Sequence, residues 1–366
     1  MTIRRLKGSQ RFGTVAVAFL VTAVGGCGGT GAGASGAGPQ SFDPATAVDD
    51  PKAYEGPSTA VLAESAIEPV TDEPRPSLPA EVTDAQGTEV TITDVSRILA
   101  IDLYGTTSRI VFSLGLGDNV IGRDTSSAFP EIVDRPNVTP SGHTLSAEAI
   151  LELAPSVIIS DTSLGPWDVL LQMRDSGIPV VVVDSHRSLD TTADLINQVA
   201  AALGLPEDGQ KLALRTQERI DSARQAIGQA VPDNAADQLR MAFLYLRGNA
   251  GVYYLFGEGS GTDSLITALG GIDVASEVGW KGMQPVTDEG LVAMNPDLIL
   301  VMTGGLESVG GVDGLLEKLP AVASTPAGIK RRIVDMDDTQ ILSFGPASPD
   351  VLNALASAIY SPEAGQ

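Results

Sequence analysis

The stretch LSAEAILELAPSVII (residues 145–159) recurs in altered form as VTDEGLVAMNPDLIL (residues 286–300). Each copy has a glutamate, Glu148 or Glu289, within an apolar pattern of helical spacing, and a proline seven residues later that precedes a purely apolar run. This pattern predicts a helix, a stop marked by the proline, and a buried strand. Because the unit occurs twice, we predict two similar α/β lobes with a ligand cleft between them.

Patterns outside the repeat predict the other elements of an α/β fold. A hairpin is expected at 81–92, followed by alternating strands and helices that include a strand at NVIGRD. Short links between these elements imply parallel strands covered by helices. Two helical patterns without a strand between them predict a long helical connector at 188–230. We therefore predict two Rossmann-like lobes, at 80–187 and 231–366, rather than one continuous domain.

The N-terminus has the features of a lipoprotein signal. Four cationic residues precede the apolar run TVAVAFLVTAV, which is too short to span a membrane as a helix. The run closes on small residues directly before Cys27, the only cysteine in the chain, and this resembles a bacterial lipobox. We predict a signal peptide at 1–26 and a lipid on Cys27, which leaves no thiol for a disulfide, zinc or catalysis. The alternative is an ordinary secretory signal that contains a cysteine.

The chain is strongly acidic. Its formal net charge of −23 becomes about −27 when the four cations of the signal are removed. This charge argues against nucleic acid as a partner and against electrostatic adhesion to an anionic membrane, so the lipid would be the only membrane attachment. Residues 27–79 are rich in Gly, Ala, Ser, Pro and acidic residues, which predicts a disordered tether.

Three polar residues are candidates for ligand contact. His143 lies in the loop SGHTLS before the helix of Glu148, and its counterpart in the second copy is Gln284, so the copies diverge there. Loops at such positions line the ligand crevice of α/β folds. In AFLYLRG, alternation places Tyr245 and Arg247 on one face of a strand. A neighbouring arginine favours the phenolate, which is a good ligand for ferric iron. The alternatives are a surface histidine and an ordinary half-buried tyrosine.

Together, the lipobox, the tether, the two lobes and the connector resemble substrate-binding proteins of ABC importers. The resemblance is to the helix-linked class (class III), which handles ferric siderophores, cobalamin and haem. It covers residues 80–360 and rests on RILAID, GLGDNVIGRD, the two repeat units and GEGSGTDSLITALGG. In that family a glutamate on each lobe docks with an arginine of the permease, which implies this role for Glu148 and Glu289. Two separated carboxylates would align the lobes on a twofold permease; the alternative is that both are simply solvated.

GHTLS in the first lobe, with Y-x-R opening the second, resembles the haemin-binding lipoproteins of actinobacterial haem importers (HmuT-type). This resemblance implies that His143 and Tyr245 are the axial ligands of the haem iron, and that Arg247 is hydrogen-bonded to Tyr245. Haem b would be the transported ligand, and an ABC permease in the cytoplasmic membrane would be the partner. The protein would stand on the outer face of that membrane, anchored through Cys27.

Other functions are weaker alternatives. A binding protein for a ferric siderophore or cobalamin would keep the fold, and Arg109, Arg123 and Arg187 could contribute to such a site. A structural or signalling lipoprotein would need neither the paired glutamates nor the His–Tyr pair. A surface-anchored hydrolase is disfavoured because GxSxG and HExxH are absent, so we expect no enzymatic activity. His186 is a minor candidate for the cleft. Candidate walls for a flat macrocycle are Tyr104, Phe129, Trp167, Tyr253, Tyr254, Trp280 and Met283.

Overall fold

The computed structural model describes residues 41–62 and 66–362. The expected signal peptide, Cys27 and the tether up to residue 40 therefore lie outside the described residues. Within the described ranges, no helix is both long enough and apolar enough to cross a membrane.

Strands and helices alternate along most of the described chain, as the apolar periodicity predicts. The strands are β1 Ser58–Ala60, β2 Ala80–Thr83, β3 Glu89–Ile92, β4 Ile98–Ile101, β5 Val157–Ser160, β6 Val180–Val182, β7 Arg240–Arg247, β8 Val252–Phe256, β9 Ile272–Asp273, β10 Met283–Pro285, β11 Leu298–Met302 and β12 Ile333–Met336. The helices are α1 Thr106–Ser113, α2 Ala147–Leu153, α3 Trp167–Asp175, α4 Thr192–Ala202, α5 Pro206–Gly228, α6 Thr262–Ala268, α7 Val274–Glu277, α8 Asp288–Met294, α9 Thr303–Val309, α10 Gly311–Lys318, α11 Pro320–Ala323, α12 Pro326–Ile329 and α13 Ser348–Tyr360.

The first lobe is built on a three-stranded parallel sheet in the order β4-β5-β6, with the predicted hairpin formed by β2 and β3. All residues of the three parallel strands are buried, because apolar side chains cover both faces of the sheet. The predicted strand at NVIGRD is wrong, since the structure has isolated bridges there, at Val120 and Arg123. Its backbone bonds to β4 at one end and to a loop at the other, so no continuous ladder forms.

The second lobe is built on a larger, mixed sheet. Its strand order is β1-β12-β11-β7-β8-β10, with β9 paired to the start of β7. Strands β1, β12, β11 and β7 are parallel, whereas β8 and β10 are antiparallel to their neighbours. The expectation of parallel strands is therefore wrong for β8 and β10. The link between β7 and β8 is a single tight turn, which is too short for the crossover that parallel pairing needs.

Helices α4 and α5 carry the chain from the first lobe to the second. α4 packs within the first lobe, where Leu195 and Ile196 are buried in the core. α5 has 23 residues and is roughly 35 Å long. It contributes Leu212 to the first-lobe core, and Ile220 and Ile227 to the second-lobe core. The predicted helical connector between two α/β lobes is confirmed, and α5 is the part that bridges them.

Residues 41–62 and 66–79 pack against the two lobes, so the expected disorder is wrong for this part of the tether. Phe42 and Ala60 are buried in the second-lobe core, and β1 extends the sheet beside β12. Val70 donates its backbone N–H to a carbonyl of α1 in the first lobe at 2.9 Å. Composition misjudges the segment because its few apolar residues complete cores that other parts of the chain build.

Candidate functional site

The carboxyl end of β7 carries two of the predicted site residues. Along this strand, Met241 and Phe243 face one apolar cluster, whereas Leu244 faces another. Tyr245 packs at the edge of the first cluster, and Arg247 follows on the same face. The predicted alternation is therefore confirmed. Because β7 runs parallel to β11, both carboxyl ends meet at the edge where α/β sheets place their ligand crevice.

Arg247 lies against the ring face of Tyr245, with its Cζ 4.6 Å from the ring centroid. On the same ring, Phe256 stacks with a centroid separation of 6.0 Å. The guanidinium Nη2 of Arg247 pairs with Asp338 at 3.3 Å, and Asp338 in turn accepts the N–H of Gly304 at 2.7 Å. Among the described residues this cation–π contact takes the place of the expected hydrogen bond to the phenol oxygen. The arginine is thus held beside the tyrosine by a carboxylate.

His143 lies in an exposed loop of the first lobe, directly before α2. Backbone hydrogen bonds hold the residues that follow it. Leu145 donates its N–H to the carbonyl of Gly165 at 2.6 Å, and Ser146 donates to the carbonyl of Val138 at 2.9 Å. The Ser146 hydroxyl then caps α2. The exposed imidazole is therefore carried on a backbone that is anchored on its C-terminal side.

His143 and Arg247 come from different lobes, and the positive charge of Arg247 reaches the imidazole. Partial burial lowers the pKa of His143, and the positive charge of Arg247 lowers it further. Both effects favour the neutral imidazole, which is the form that binds a metal. The structure therefore brings His143 towards the pair formed by Arg247 and Tyr245.

A cavity of about 380 Å³ is lined by residues of both lobes. Tyr104 lines it from the first lobe and Asp350 lines it from the second. The three predicted site residues lie outside its lining, but Thr339 lines it and directly follows Asp338, the partner of Arg247. The cavity is therefore separate from the three predicted site residues.

The predicted wall residues occupy different environments. Tyr104 reaches from the first lobe to the second-lobe core, and burial raises its pKa. Tyr254 lies directly opposite Tyr245 on β8. Met283 is 54% exposed on the edge strand β10. The remaining four pack against apolar clusters of their own lobes: Phe129, Trp167, Tyr253 and Trp280.

Three further basic residues named from the sequence are engaged elsewhere. The side chain of His186 is 81% exposed, and its Nδ1 lies 2.7 Å from Asp184, two residues away. Arg123 donates to backbone carbonyls of its own loop region. Arg187 is buried and ion-paired, so it cannot reach a ligand in the cleft.

The ion pairs of Arg187 belong to a buried cluster that sequence reasoning missed. Its Nη2 lies 2.5 Å from Asp161 Oδ2 and 3.4 Å from Asp102 Oδ2, and all three side chains are at most 2% exposed. Burial, and then the charge of Asp102, raise the pKa of Asp124 to about 7 and that of Asp161 to about 6. The available signal was an aspartate ending each of the runs RILAID, NVIGRD and SVIISD. The cluster holds the loops on the first-lobe side of the cleft.

Asp102 shows how the cluster holds those loops. Its carboxylate accepts the backbone N–H groups of Tyr104, Thr106 and Thr107, which form the turn into α1. Among the described residues, no group of three or more His, Cys, Asp and Glu side chains is arranged to hold a metal ion. The Asp102 carboxylate therefore has a structural role in this turn.

Helices α2 and α8, which the repeat predicts as equivalent, are alike in structure. Each has seven residues and begins at a hydroxyl cap, Ser146 in one and Thr287 in the other. Each ends at a residue with positive φ, 44° at Ala154 and 47° at Asn295, before the proline and a fully buried strand. The helix, stop and strand predicted from the sequence are confirmed in both copies.

Glu148 and Glu289 both lie in the first turn of their helices and are exposed. Within the described residues, neither carboxylate takes part in an ion pair. Each lobe therefore presents a carboxylate that is available to a cation on another molecule.

Comparison with known proteins agrees with this architecture. The profile of the periplasmic binding protein family matches residues 101–339. A solved structure of the haem-binding protein HmuT is 41% identical, with a TM-score of 0.80, and the match covers 85% of this chain and 99% of that one. Structures of HmuT in which one arginine, tyrosine or histidine is replaced by alanine match at 40% or 41% identity.

Two curated relatives are more distant. An uncharacterised ABC transporter substrate-binding lipoprotein of Bacillus subtilis, YvrC, is 24% identical over 285 residues, which are 77% of this chain and 86% of the relative. A vitamin B12-binding protein of Photorhabdus laumondii is 25% identical over 213 residues, which are 57% of this chain and 72% of the relative. The family match spans more than half of the sequence and includes both α/β lobes, and the chain therefore belongs to the periplasmic binding protein family.

Proposed function

We propose that this protein captures ferric haem in the cleft between its lobes and delivers it to an ABC permease for haem and iron uptake. His143 of the first lobe and Tyr245 of the second are the axial ligands of the haem iron, and Arg247 supports the tyrosinate. Haem is cargo in this proposal, and the protein does no chemistry on it.

The convergence of these side chains from two lobes carries the proposal. The charge of Arg247 acts on His143 across the cleft, and the same arginine lies on the ring of Tyr245. An imidazole on one wall and a phenol on the other can bind one iron from opposite sides, and both are established haem ligands.

Each side chain has a separate task. The lowered pKa of His143 leaves its imidazole neutral, and so able to bind iron, at neutral pH. The guanidinium of Arg247 lies on the ring of Tyr245 and holds the ring in place. Asp338 holds the guanidinium in place by an ion pair. Protonation of His143 at low pH would weaken its bond to the iron.

Similarity to known proteins favours haem over the alternative cargoes. HmuT, whose name states that it binds haem, is 41% identical over 85% of this chain, whereas the vitamin B12-binding relative is 25% identical over 57%. Of the three arginines that a siderophore site could use, Arg187 and Arg123 are committed to Asp161 and to backbone carbonyls, whereas Arg109 lines the cavity between the lobes. The three residue types varied in HmuT are also those that converge here.

Anchoring and delivery complete the proposed function. A lipid on Cys27 would hold the protein at the outer face of the cytoplasmic membrane, as the name of the Bacillus relative, a lipoprotein, suggests. Glu148 and Glu289 are exposed at equivalent places on the two lobes, and they would each bind an arginine of the permease.

Haemin titration followed by visible spectroscopy tests the cargo and the ligands. The wild type should shift the Soret band with a stoichiometric end point. His143→Ala and Tyr245→Phe should each give a different spectrum and weaker binding, because each removes one iron ligand and Tyr245→Phe keeps the packing on Phe256. The matched control is His186→Ala, which removes the other histidine of the chain, an exposed one.

The outcomes separate the parts of the proposal. A wild type that leaves the haemin spectrum unchanged would refute haem as the cargo. Spectra of His143→Ala and Tyr245→Phe identical to that of the wild type would refute the ligands but not the cargo. If His186→Ala weakened haemin binding as much as His143→Ala, the assignment of His143 as the specific iron ligand would be refuted.

A further inference from the structure

The helices that carry Glu148 and Glu289 also expose an aliphatic side chain one turn later. Leu151 is 41% exposed on α2, and Val292 is 49% exposed on α8. Each stands three residues after its glutamate. Residues three apart on a helix are neighbours on its surface. Each lobe therefore presents a carboxylate and an aliphatic group side by side, which we call a footprint.

The two aliphatic positions are equivalent in the repeat. Single exposed apolar residues are ordinary on protein surfaces, so either one alone would mean little. The residues directly before them, Ile150 and Leu291, are 0% and 1% exposed and already join their helices to the cores. Leu151 and Val292 are thus apolar residues on the exposed face of each helix, and the packing of the core does not require them.

The surroundings of the footprints suit a cationic partner. Asp288 adds a second acidic residue to the first turn of α8, and Glu152 adds one to the same face of α2. The copies differ at His143 and Gln284 and agree at the glutamate and the aliphatic residue. The features that both lobes share are therefore the exposed glutamate and the exposed aliphatic residue, at equivalent positions on the two helices.

We propose that the permease binds two equivalent footprints, Glu148 with Leu151 and Glu289 with Val292, and presents an apolar contact beside each cation. This inference rests on the proposed docking role of the glutamates. The charged half of a footprint speeds association and is screened by salt. The aliphatic half loses water only on docking and slows dissociation. Burial of both aliphatic groups is expected to tighten the complex about tenfold.

The test measures association and dissociation rates of the full-length protein on its ABC permease in lipid nanodiscs. Leu151→Ser with Val292→Ser should raise the dissociation rate about tenfold and leave the salt dependence of association unchanged. Glu148→Ala with Glu289→Ala should slow association and flatten its salt dependence. Leu151→Met with Val292→Met keeps an apolar surface and should dissociate like the wild type.

The matched control is Leu214→Ser, which removes a leucine that is 62% exposed on α5, outside the repeat, and should change neither rate. Unchanged haem binding and thermal midpoint show that each variant is folded. If Leu151→Ser with Val292→Ser dissociates like the wild type while the double glutamate variant associates slowly, the aliphatic contact is refuted and docking through the glutamates stands. If neither pair changes the rates, docking through these helices is wrong altogether.

Discussion

Replacement of Arg187 by methionine should destabilise the first lobe strongly and in a pH-dependent way. The arginine side chain is 2% exposed, and Asp102 and Asp161, which it pairs with, are 0% exposed. The substitution keeps most of the volume and leaves two carboxylates buried without a cation. Removing one partner of a buried pair costs about 3–5 kcal/mol. With an m-value of about 3 kcal/mol/M, the urea midpoint should fall by roughly 1–2 M at pH 8.

The sign of the pH dependence follows from Asp161. Burial and the charge of Asp102 raise its pKa to about 6, while Arg187 lowers it, so the pKa should rise further in Arg187→Met. At pH 5 the Asp161 carboxyl is then protonated in the variant, and it no longer needs the arginine. The loss of stability should therefore be smaller at pH 5 than at pH 8.

Urea unfolding of wild type and Arg187→Met, followed by circular dichroism at both pH values, gives the two losses directly. Arg75→Met is the matched control, because it removes an ion pair that is more than 80% exposed on both sides and should leave the midpoint unchanged. A loss below about 1 kcal/mol at pH 8, or an equal loss at pH 5, would refute the role given to Arg187.

Three further predictions concern other parts of the molecule. In Arg247→Met the pKa of His143 should rise, because the positive charge that lowers it is gone. If an NMR titration gave an unchanged pKa, the charge of Arg247 would not act on His143. The pKa of Asp124 is raised to about 7, so the free energy of unfolding should fall as the pH rises from about 4 through 7. Calorimetry should show a smaller fall in Asp124→Asn than in the wild type. A larger fall in the variant would contradict this prediction. Phe42→Ala should cost about 3 kcal/mol in urea unfolding, because the ring is buried against Tyr360; no loss would mean that residues 41–62 do not stabilise the second lobe.

Local signals predicted much of this fold. Helix α2, its stop and β5 follow from the spacing of apolar residues and from a proline, all within fifteen residues, and the same holds for α8 and β11. The alternation along β7 correctly placed Tyr245 and Arg247 on one face. Such patterns succeed because helix and strand periods are properties of neighbouring residues.

Predictions that depended on distant partners failed. NVIGRD has the composition of a strand, but at Val120 and Arg123 its neighbours offer isolated bridges and no continuous ladder. Phe42 lies in a segment too polar to fold by itself, and a core assembled from the second lobe buries it. In the sequence Arg187 is a candidate for ligand contact, but in the structure it is ion-paired with Asp161. Contacts between residues far apart in the chain leave no periodic trace.

By itself, the sequence determined the duplicated α/β unit with its paired glutamates, because both follow from spacing within short segments, and family resemblance predicted three residues for haem contact. Only the tertiary structure decided that the charge of Arg247 acts on His143 of the other lobe, that residues 41–62 and 66–79 pack against both lobes, and that two aspartates share one buried arginine. Those facts depend on which carboxyl ends meet when the sheets assemble, and that is a property of the whole packed chain.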